Sequence, residues 1–352
     1  MAESLVPRLA AAEREHDLAG RYAAGNVALL ADAGLLAVNV PSSHGGFGET
    51  LGGTVETLRT VAQGSPSTAL MLGMHTSILG NYLLDPRHVP SGERAAFLEQ
   101  REWAFGEAMN GKIFGVANSE VGAGGNVKNS RAEVRGGALF GVKTFCSMGT
   151  NVSYFLSAAR DESGHVDYWI AENDPAHVHV ESPWNAIGMR SSESVSLRFE
   201  GARVVAPAGY RGMLDGVNNR HWSTLAFTAV FVGIAESLLR DVTSPKSGIL
   251  QRAGAVDLHL TLQACRAFLR HCVDVEAQPP DDAYRHLVRD CKLYVTRTLA
   301  QQASAVYLAM GGSAYRFDSP VSRKVRDLFA GPAVRPPVGV SFDELWDELA
   351  DS

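Results

Sequence analysis

The sequence predicts an α+β protein in three successive parts: an N-terminal helical domain over 1–112, a middle β-barrel or sandwich domain over 113–208, and a C-terminal antiparallel helix bundle over 209–352. Two observations predict it. The spacing of apolar residues changes from helical to alternating and back to helical along the chain. Turn-forming clusters rich in glycine and proline punctuate the periodic stretches. The balance of 45% hydrophobic and 20% charged residues then supplies enough apolar side chains for a large core.

In the first part Leu29, Leu30, Ala33 and Leu36 recur at helical spacing, as do Leu58, Val61 and Ala62, followed by the run from Thr68 to Ile78. Pro41 to Gly48 and Asp85 to Pro90 mark turns between these helices. In the second part, Arg131 to Arg135, Gly136-Gly137 and Ala138 to Lys143 predict one hairpin. Tyr154 to Ala159, Asp161 to Gly164 and His165 to Ile170 predict another. Val178 with Val180, and Val195 with Leu197 and Phe199, add two more alternating strands, about six in all. The third part holds long helical stretches from Trp222 to Leu239, Ala253 to Val275 and Asp281 to Met310, the last ending on Gly311-Gly312. Ser341 and Glu344 predict a capping box ahead of a stripe of Phe342, Leu345, Trp346 and Leu349.

Composition narrows the function classes. The net charge is −6, and no lysine-arginine block offers a face for phosphates, so a nucleic-acid partner is not expected. No apolar run approaches the ~20 residues of a bilayer span, so no membrane association is expected. The opening segment from Met1 to His16 lacks the order of a secretory signal. Cys146, Cys265, Cys272 and Cys291 show no CxxC spacing and read as small buried hydrophobes, with no metal site. Cytoplasmic placement is the expectation.

The densest motif is Phe114 to Asn126, a short strand running into a glycine-rich loop. Gly122, Gly124 and Gly125 would let backbone N–H groups approach a phosphate or a carbonyl-rich ring; a plain surface loop needing positive φ is the other reading. Further on, alternation places Phe145 and Ser147 on one strand face. An aromatic beside a hydroxyl suits a flat heterocycle with a polar edge, or equally a core aromatic with a satisfied serine.

Together these stretches resemble the acyl-CoA dehydrogenase family over nearly the whole chain. The motif A-x-T-E-P-x-x-G-S-D stands here as Ala117 to Asn126, and the glycine-x-lysine element with its aromatic and hydroxyl as Gly141 to Ser147. L-G-M-R-G-S-D-T stands as Ile187 to Ser194. The closing G-G-x-G-[FY] and P-V-x-R-x-x-R-D are Gly311 to Tyr315 and Pro320 to Asp327, and the early P-x-x-x-G-G-x-G loop is Pro41 to Gly48. The resemblance implies FAD, with FMN as the other flavin. It places Asn118 and Ser119 at the flavin pyrimidine edge, Gly124 and Gly125 at the pyrophosphate, and Phe145 against the ring with the Ser147 hydroxyl near N5. Gly311 and Gly312 would approach a neighbouring subunit's cofactor, in a homodimer or homotetramer.

The resemblance departs at the chemistry. The family's base is a glutamate following the Arg-Asp pair; counted without gaps from Arg326-Asp327, that position is Arg335, a guanidinium that stays protonated near neutral pH. The alternative family position falls near Ser223, with Asp215 and His221 close in sequence; Asp215 reads equally as a solvated residue before a helix. The R-x-x-F-G arginine is replaced by the stretch Ser244 to Arg252, where Lys246 or Arg252 would substitute or the segment is an ordinary connection. Gly125 stands where the family carries a serine. Three functions fit the resemblance. One is dehydrogenation of an acyl-CoA or carrier thioester, with an electron-transfer flavoprotein as acceptor. Another is oxygenation of a small molecule with reduced flavin from a reductase partner, with His75 and His221 as candidate polar groups near the substrate; a packed helical histidine is the other reading of each. The third is a non-catalytic subunit of a heteromeric dehydrogenase.

Overall fold

The computed structural model describes residues 1–334 and 336–351. Five helices come first: α1 (Ala2–Ala19), α2 (Ala24–Asp32), α3 (Leu51–Gly64), α4 (Pro66–Asn81) and α5 (Arg94–Met109). Their starts follow local chemistry. The Thr50 side chain accepts from Gly53 N–H at the head of α3, and Ser65 accepts from Thr68 N–H at the head of α4, where Pro66 occupies the first turn. Every residue of α4 from Pro66 to Gly80 is buried, as befits a helix with no polar face.

Seven strands follow: β1 (Phe114–Val116), β2 (Glu133–Arg135), β3 (Ala138–Cys146), β4 (Tyr154–Arg160), β5 (Val166–Glu172), β6 (Val178–Ser182) and β7 (Val195–Pro207). Both predicted hairpins form. β2 and β3 pair through Arg135 and Ala138 around Gly136-Gly137, both at positive φ, and β4 pairs antiparallel with β5. The sheet runs β1-β4-β2-β3-β7-β5, β6 adds to β7, and a further β4–β5 pairing closes the path into a barrel. Phe155, Leu139, Leu197 and Phe199 fill its interior.

The last part contains α6 (His221–Val242), α7 (Ile249–Asp274), α8 (Asp282–Ala309), α9 (Pro320–Leu328) and α10 (Val338–Asp351). The expectation of no membrane-length apolar run needs correcting. Among the described residues α6 is long and apolar enough to cross a bilayer, yet 89% of that stretch is buried inside the protein, against α3, α4 and α8. It is a core helix. α10 begins at Val338, three residues before the predicted cap, so Ser341 lies within the helix. The reason is tertiary: α8 straps this segment down, with Lys292 Nζ donating to the Val334 and Pro336 carbonyls and Arg289 pairing with Glu348. The Phe342, Trp346 and Leu349 stripe faces outward and exposed.

Candidate functional site

β3 does not run straight into its turn. Phe145 takes a left-handed backbone conformation (φ 57°), as does Met148 (φ 72°). In the loop leading into β7, Met189 and Glu193 are left-handed too, at φ 50° and 45°. Among the described residues these four are the only non-glycine positions at positive φ, and they fall in two bonded segments. Such conformations cost about 1–3 kcal/mol each and persist where the surroundings over-determine them, which concentrates them at functional sites.

The over-determination is visible. Met148 N–H donates to the Ser192 carbonyl at 2.7 Å, and the Ser147 and Ser194 hydroxyls lie 2.7 Å apart. Trp184 donates its indole N–H to the Met189 carbonyl at 3.1 Å. Met189 N–H donates to Asp327 of α9 at 2.6 Å, and Tyr22 N–H donates to Glu193 at 3.2 Å. α9 passes so close to Gly188 that a Cβ there would meet the Arg326 carbonyl oxygen at 2.1 Å. The segment after α1 and helix α9, from the two ends of the chain, therefore hold this loop.

Phe145 and Ser147 consequently do not share a face. The left-handed residue at Phe145 and a register shift between Lys143 and Cys146 break the alternation. Phe145 is 63% exposed, edge-on to Trp184 at 6.0 Å, whereas Ser147 is 2% exposed and turned into the hydroxyl cluster. The loop from Ser119 lies beside them, since the Ser119 carbonyl accepts from Thr144 N–H at 2.8 Å. Asn118 turns its side-chain oxygen inward to Ala158 N–H at 2.7 Å. That oxygen braces the barrel wall, and the expected contact to a pyrimidine edge does not draw on it.

The root of the glycine loop is a buried ion pair that the motif reading passed over. Lys143 Nζ meets Glu120 Oε1 at 2.5 Å and Ser130 Oγ at 3.0 Å, and Glu120 also accepts from the N–H groups of Arg131 and Ala132. Burial opposes ionisation of Glu120, but the Lys143 ammonium and these donors outweigh it and hold the carboxyl below the usual range. Its sequence signal was present in the acid of Ser119-Glu120 and the lysine of Gly141-Val-Lys143.

The loop fits a flavin in part. Gly122, Gly124 and Gly125 are all left-handed, and nothing lies within 4 Å of the position a Cβ at Gly124 would take. At Gly125 such an atom would meet Pro337 at 2.5 Å. The cradle is thus open at Gly124 and covered at Gly125 by the start of α10. Phe145, next to the Ser119–Thr144 bridge at the start of this loop, presents an exposed ring that suits a flat heterocycle.

The candidate bases lie elsewhere. Asp215 is half-exposed and pairs with Lys128 at 2.6 Å, with His165 at 3.8 Å; Lys128 holds its carboxyl below the ordinary range. His221 is buried against Glu276 (2.9 Å) and Tyr284. Ser223 donates to the Arg220 carbonyl in its own helix turn. His75 is wholly buried, bonded to the Leu36 carbonyl at 2.7 Å and to Phe114 N–H at 3.1 Å, and burial pushes its pKa down to about 4. It clamps α4 to β1. Arg335 lies outside the described residues.

Arg252 spends its guanidinium on the Ser247 and Pro245 carbonyls, so the segment after α6 is a self-contained connection. Gly311 and Gly312 form an open turn with no atom within 4 Å of either Cβ position, and Tyr315 beyond them is 80% exposed. Behind the strained loop, Glu13 of α1 is buried between Ser65 and Ser191, and burial raises its pKa to about 8. A groove of about 630 Å³ between α3 and α7, with Arg59, Arg266 and Arg270 in its wall, shares no lining residue with these loops.

Family models describing the acyl-CoA dehydrogenase N-terminal domain and C-terminal domain match residues 1–85 and 225–333. The Bacillus subtilis (strain 168) protein YdbM is 28% identical over 352 residues, covering 90% of this chain and 87% of its own. A dibenzothiophene monooxygenase of Rhodococcus erythropolis is 28% identical over 258 residues, covering 68% of this chain and 60% of its own. The solved structure of FMN-bound TdsC from Paenibacillus sp. A11-2 superposes with a TM-score of 0.82 at 21% identity, over 99% of this chain and 96% of that one.

Proposed function

This chain belongs to the acyl-CoA dehydrogenase family of flavin-dependent oxidoreductases, and we propose that it is a monooxygenase that takes up reduced flavin and oxidises a small molecule. The observation that carries this reading is the commitment of every weighed base. Asp215 is tied to Lys128 and His221 to Glu276, and Ser223 donates to the Arg220 carbonyl. A dehydrogenase needs a carboxylate poised to take an α proton, and carboxylates spent on cations and backbone do not provide one. Oxygenation has no such requirement.

Bound reduced flavin supplies the electrons that activate dioxygen. One oxygen atom enters the substrate and the other leaves as water, with two electrons from a reductase partner and two protons from solvent. The chain's part is placement. Phe145 offers its exposed ring to the flat heterocycle, while the buried Ser147 hydroxyl stays bonded to Ser194 and helps hold the loop behind it. The Gly122–Gly125 loop receives the phosphate. Lys143 and Glu120 keep the loop and β3 in register, and the buried strained segments keep bulk water from the Ser147 side. FMN is favoured over FAD, because Pro337 covers the Gly125 flank and Arg252 is occupied. The open Gly311–Gly312 turn and exposed Tyr315 support a homodimer or homotetramer in which a neighbour closes the site.

The test is to supply the purified protein with FMN, NADH, a flavin reductase and oxygen, and to follow oxidation of small sulfur, nitrogen and aromatic compounds. Incorporation of labelled oxygen into product is the expected result. Anaerobic bleaching of the bound flavin by a CoA thioester would overturn the proposal in favour of dehydrogenation.

A further inference from the structure

The groove of about 630 Å³ between α3 and α7 is lined on its α7 side by two parallel rows of side chains. Arg266 and Arg270 form one row, and Leu269 and Val273 form the other. Each row has the four-residue step that advances about 6 Å along a helix. Val55 of α3 adds to the apolar lining. Arg59 and Arg266 both approach the buried carboxylate of Glu236 to 2.6 Å, and Arg59 also pairs with Glu56. Arg270 is exposed. Glu56 and Asp274 line the groove as well, yet among the described residues no carboxylate lies within 4 Å of the Arg270 guanidinium.

α10 carries the complementary pattern on its outer face. Phe342 and Trp346 form an apolar row, 39% and 70% exposed, which Leu349 continues. Asp343 and Asp347 run alongside with the same four-residue step, and both are exposed. Among the described residues neither aspartate has a cation within 4 Å. The inner face is already engaged with α8, through Glu348 on Arg289 and the buried Ser341. α10 therefore cannot turn this outer face into the groove of its own chain while it stays docked. The order of the rows also matches: the apolar residue follows the charged one by three positions in Arg266 to Leu269 and in Asp343 to Trp346. Two helices laid antiparallel then bring arginines against aspartates and apolar against apolar, whereas a parallel pair would set arginines against the aromatics.

We infer that the α3–α7 groove is the seat for α10 of a second copy of this chain. Trp346 lies against Leu269 and Val273, with Asp343 and Asp347 against Arg270 and Arg266. One chain supplies both halves, matched in step, order and sign of charge, which favours a second copy over a foreign peptide. Each protomer carries a groove and a helix, so a two-fold pair makes the contact twice. The buried aromatic supplies most of the apolar area, and the charged rows fix register and exclude the wrong orientation. This surface is separate from the Gly311–Gly312 turn, and it does not depend on the flavin placement proposed above.

The experiment measures the mass of the full chain in solution by sedimentation over a range of concentrations, with circular dichroism as the check on folding. Trp346→Asp and Arg270→Glu are each expected to halve the limiting mass, or to raise the dissociation constant by roughly tenfold or more. Both residues are exposed, so the fold is expected to survive either change. The double variant Asp343→Lys with Asp347→Lys dissociates in the same way. Mixing that double variant with the Arg270→Glu chain restores association, because the acidic groove then meets a basic helix and the other groove and helix keep their natural charges. A parent that stays monomeric at every concentration, or folded variants that keep the parental mass, overturns the inference. Dissociation of Trp346→Asp without restoration in the mixed pair overturns the groove as the place where α10 docks.

Discussion

The loops at 145–149 and 187–194 are fastened by α9 through Asp327, by the segment after α1 through Tyr22 and by the Trp184 indole, whereas the turn at Gly311–Gly312 stands clear of the rest of its own chain. The first region spends bonds to hold four non-glycine residues left-handed. The second is held only by local bonds, from Ala314 N–H to the Gly311 carbonyl and from Tyr315 N–H to the Gly312 carbonyl, and presents an exposed Tyr315. A site whose polar edge must be accurate is built from fixed parts, because placement sets how well a group acts. In the proposed assembly, the open Gly311–Gly312 turn is the surface a neighbour would cover. The contrast separates what this chain pre-organises by itself from what assembly would complete.

The most severe way to break the fixed half is to remove one member of the ion pair beneath it. Glu120→Gln leaves the Lys143 ammonium buried without its counter-charge, and a loss of about 3–5 kcal/mol is expected in chemical denaturation. Flavin uptake should fall with it. A subtler lever is Glu13. Burial raises its pKa from 4.5 to about 8, so the unfolded chain ionises it first. The stability it contributes is complete below about pH 4.5 and is lost as pH rises through about 8. Glu13→Gln should flatten that slope in unfolding measured across the range, and an unchanged slope would remove Glu13 from the account.

Phe145→Ala sharpens the comparison from the other side. The residue is 63% exposed, so stability should change by less than about 1 kcal/mol, while FMN affinity in a fluorescence titration falls by about tenfold. Unchanged affinity and spectrum in both Phe145→Ala and Ser147→Ala would move the cofactor elsewhere. The smallest effect is expected at Asp215→Asn. Its pair with Lys128 is half-exposed, and both turnover and stability should stay within about 0.5 kcal/mol of the parent. A large loss of turnover there would reinstate Asp215 as a working acid or base.

Much of the fold was legible from residue spacing. Gly136-Gly137 and Asp161 to Gly164 announced their hairpins because each turn needs its own backbone chemistry, and long helical stripes marked α6, α7 and α8. The site was legible only as a set of motifs. Alternation assigned Phe145 and Ser147 to one face, and a single left-handed residue undid that assignment, since φ at one position rotates everything after it. The capping box at Ser341 failed for a different reason: α8 holds the preceding segment through Lys292, and that restraint outweighs a local cap.

Glycine loops, strand alternation and the absence of an acid at Arg335 are properties of neighbouring residues in sequence, so the chain alone determined the order of helices, barrel and bundle and the departure from the dehydrogenase pattern. Tertiary structure decided what each polar side chain is free to do. His75 is a clamp, Asp215 and His221 are spent on partners, and Ser147 stands at the end of a row of hydroxyls contributed by a loop 47 residues away. The reason is physical. A hydroxyl or carboxylate has its chemistry set by the atoms within hydrogen-bond reach, and for these residues most of the deciding partners are distant in the sequence.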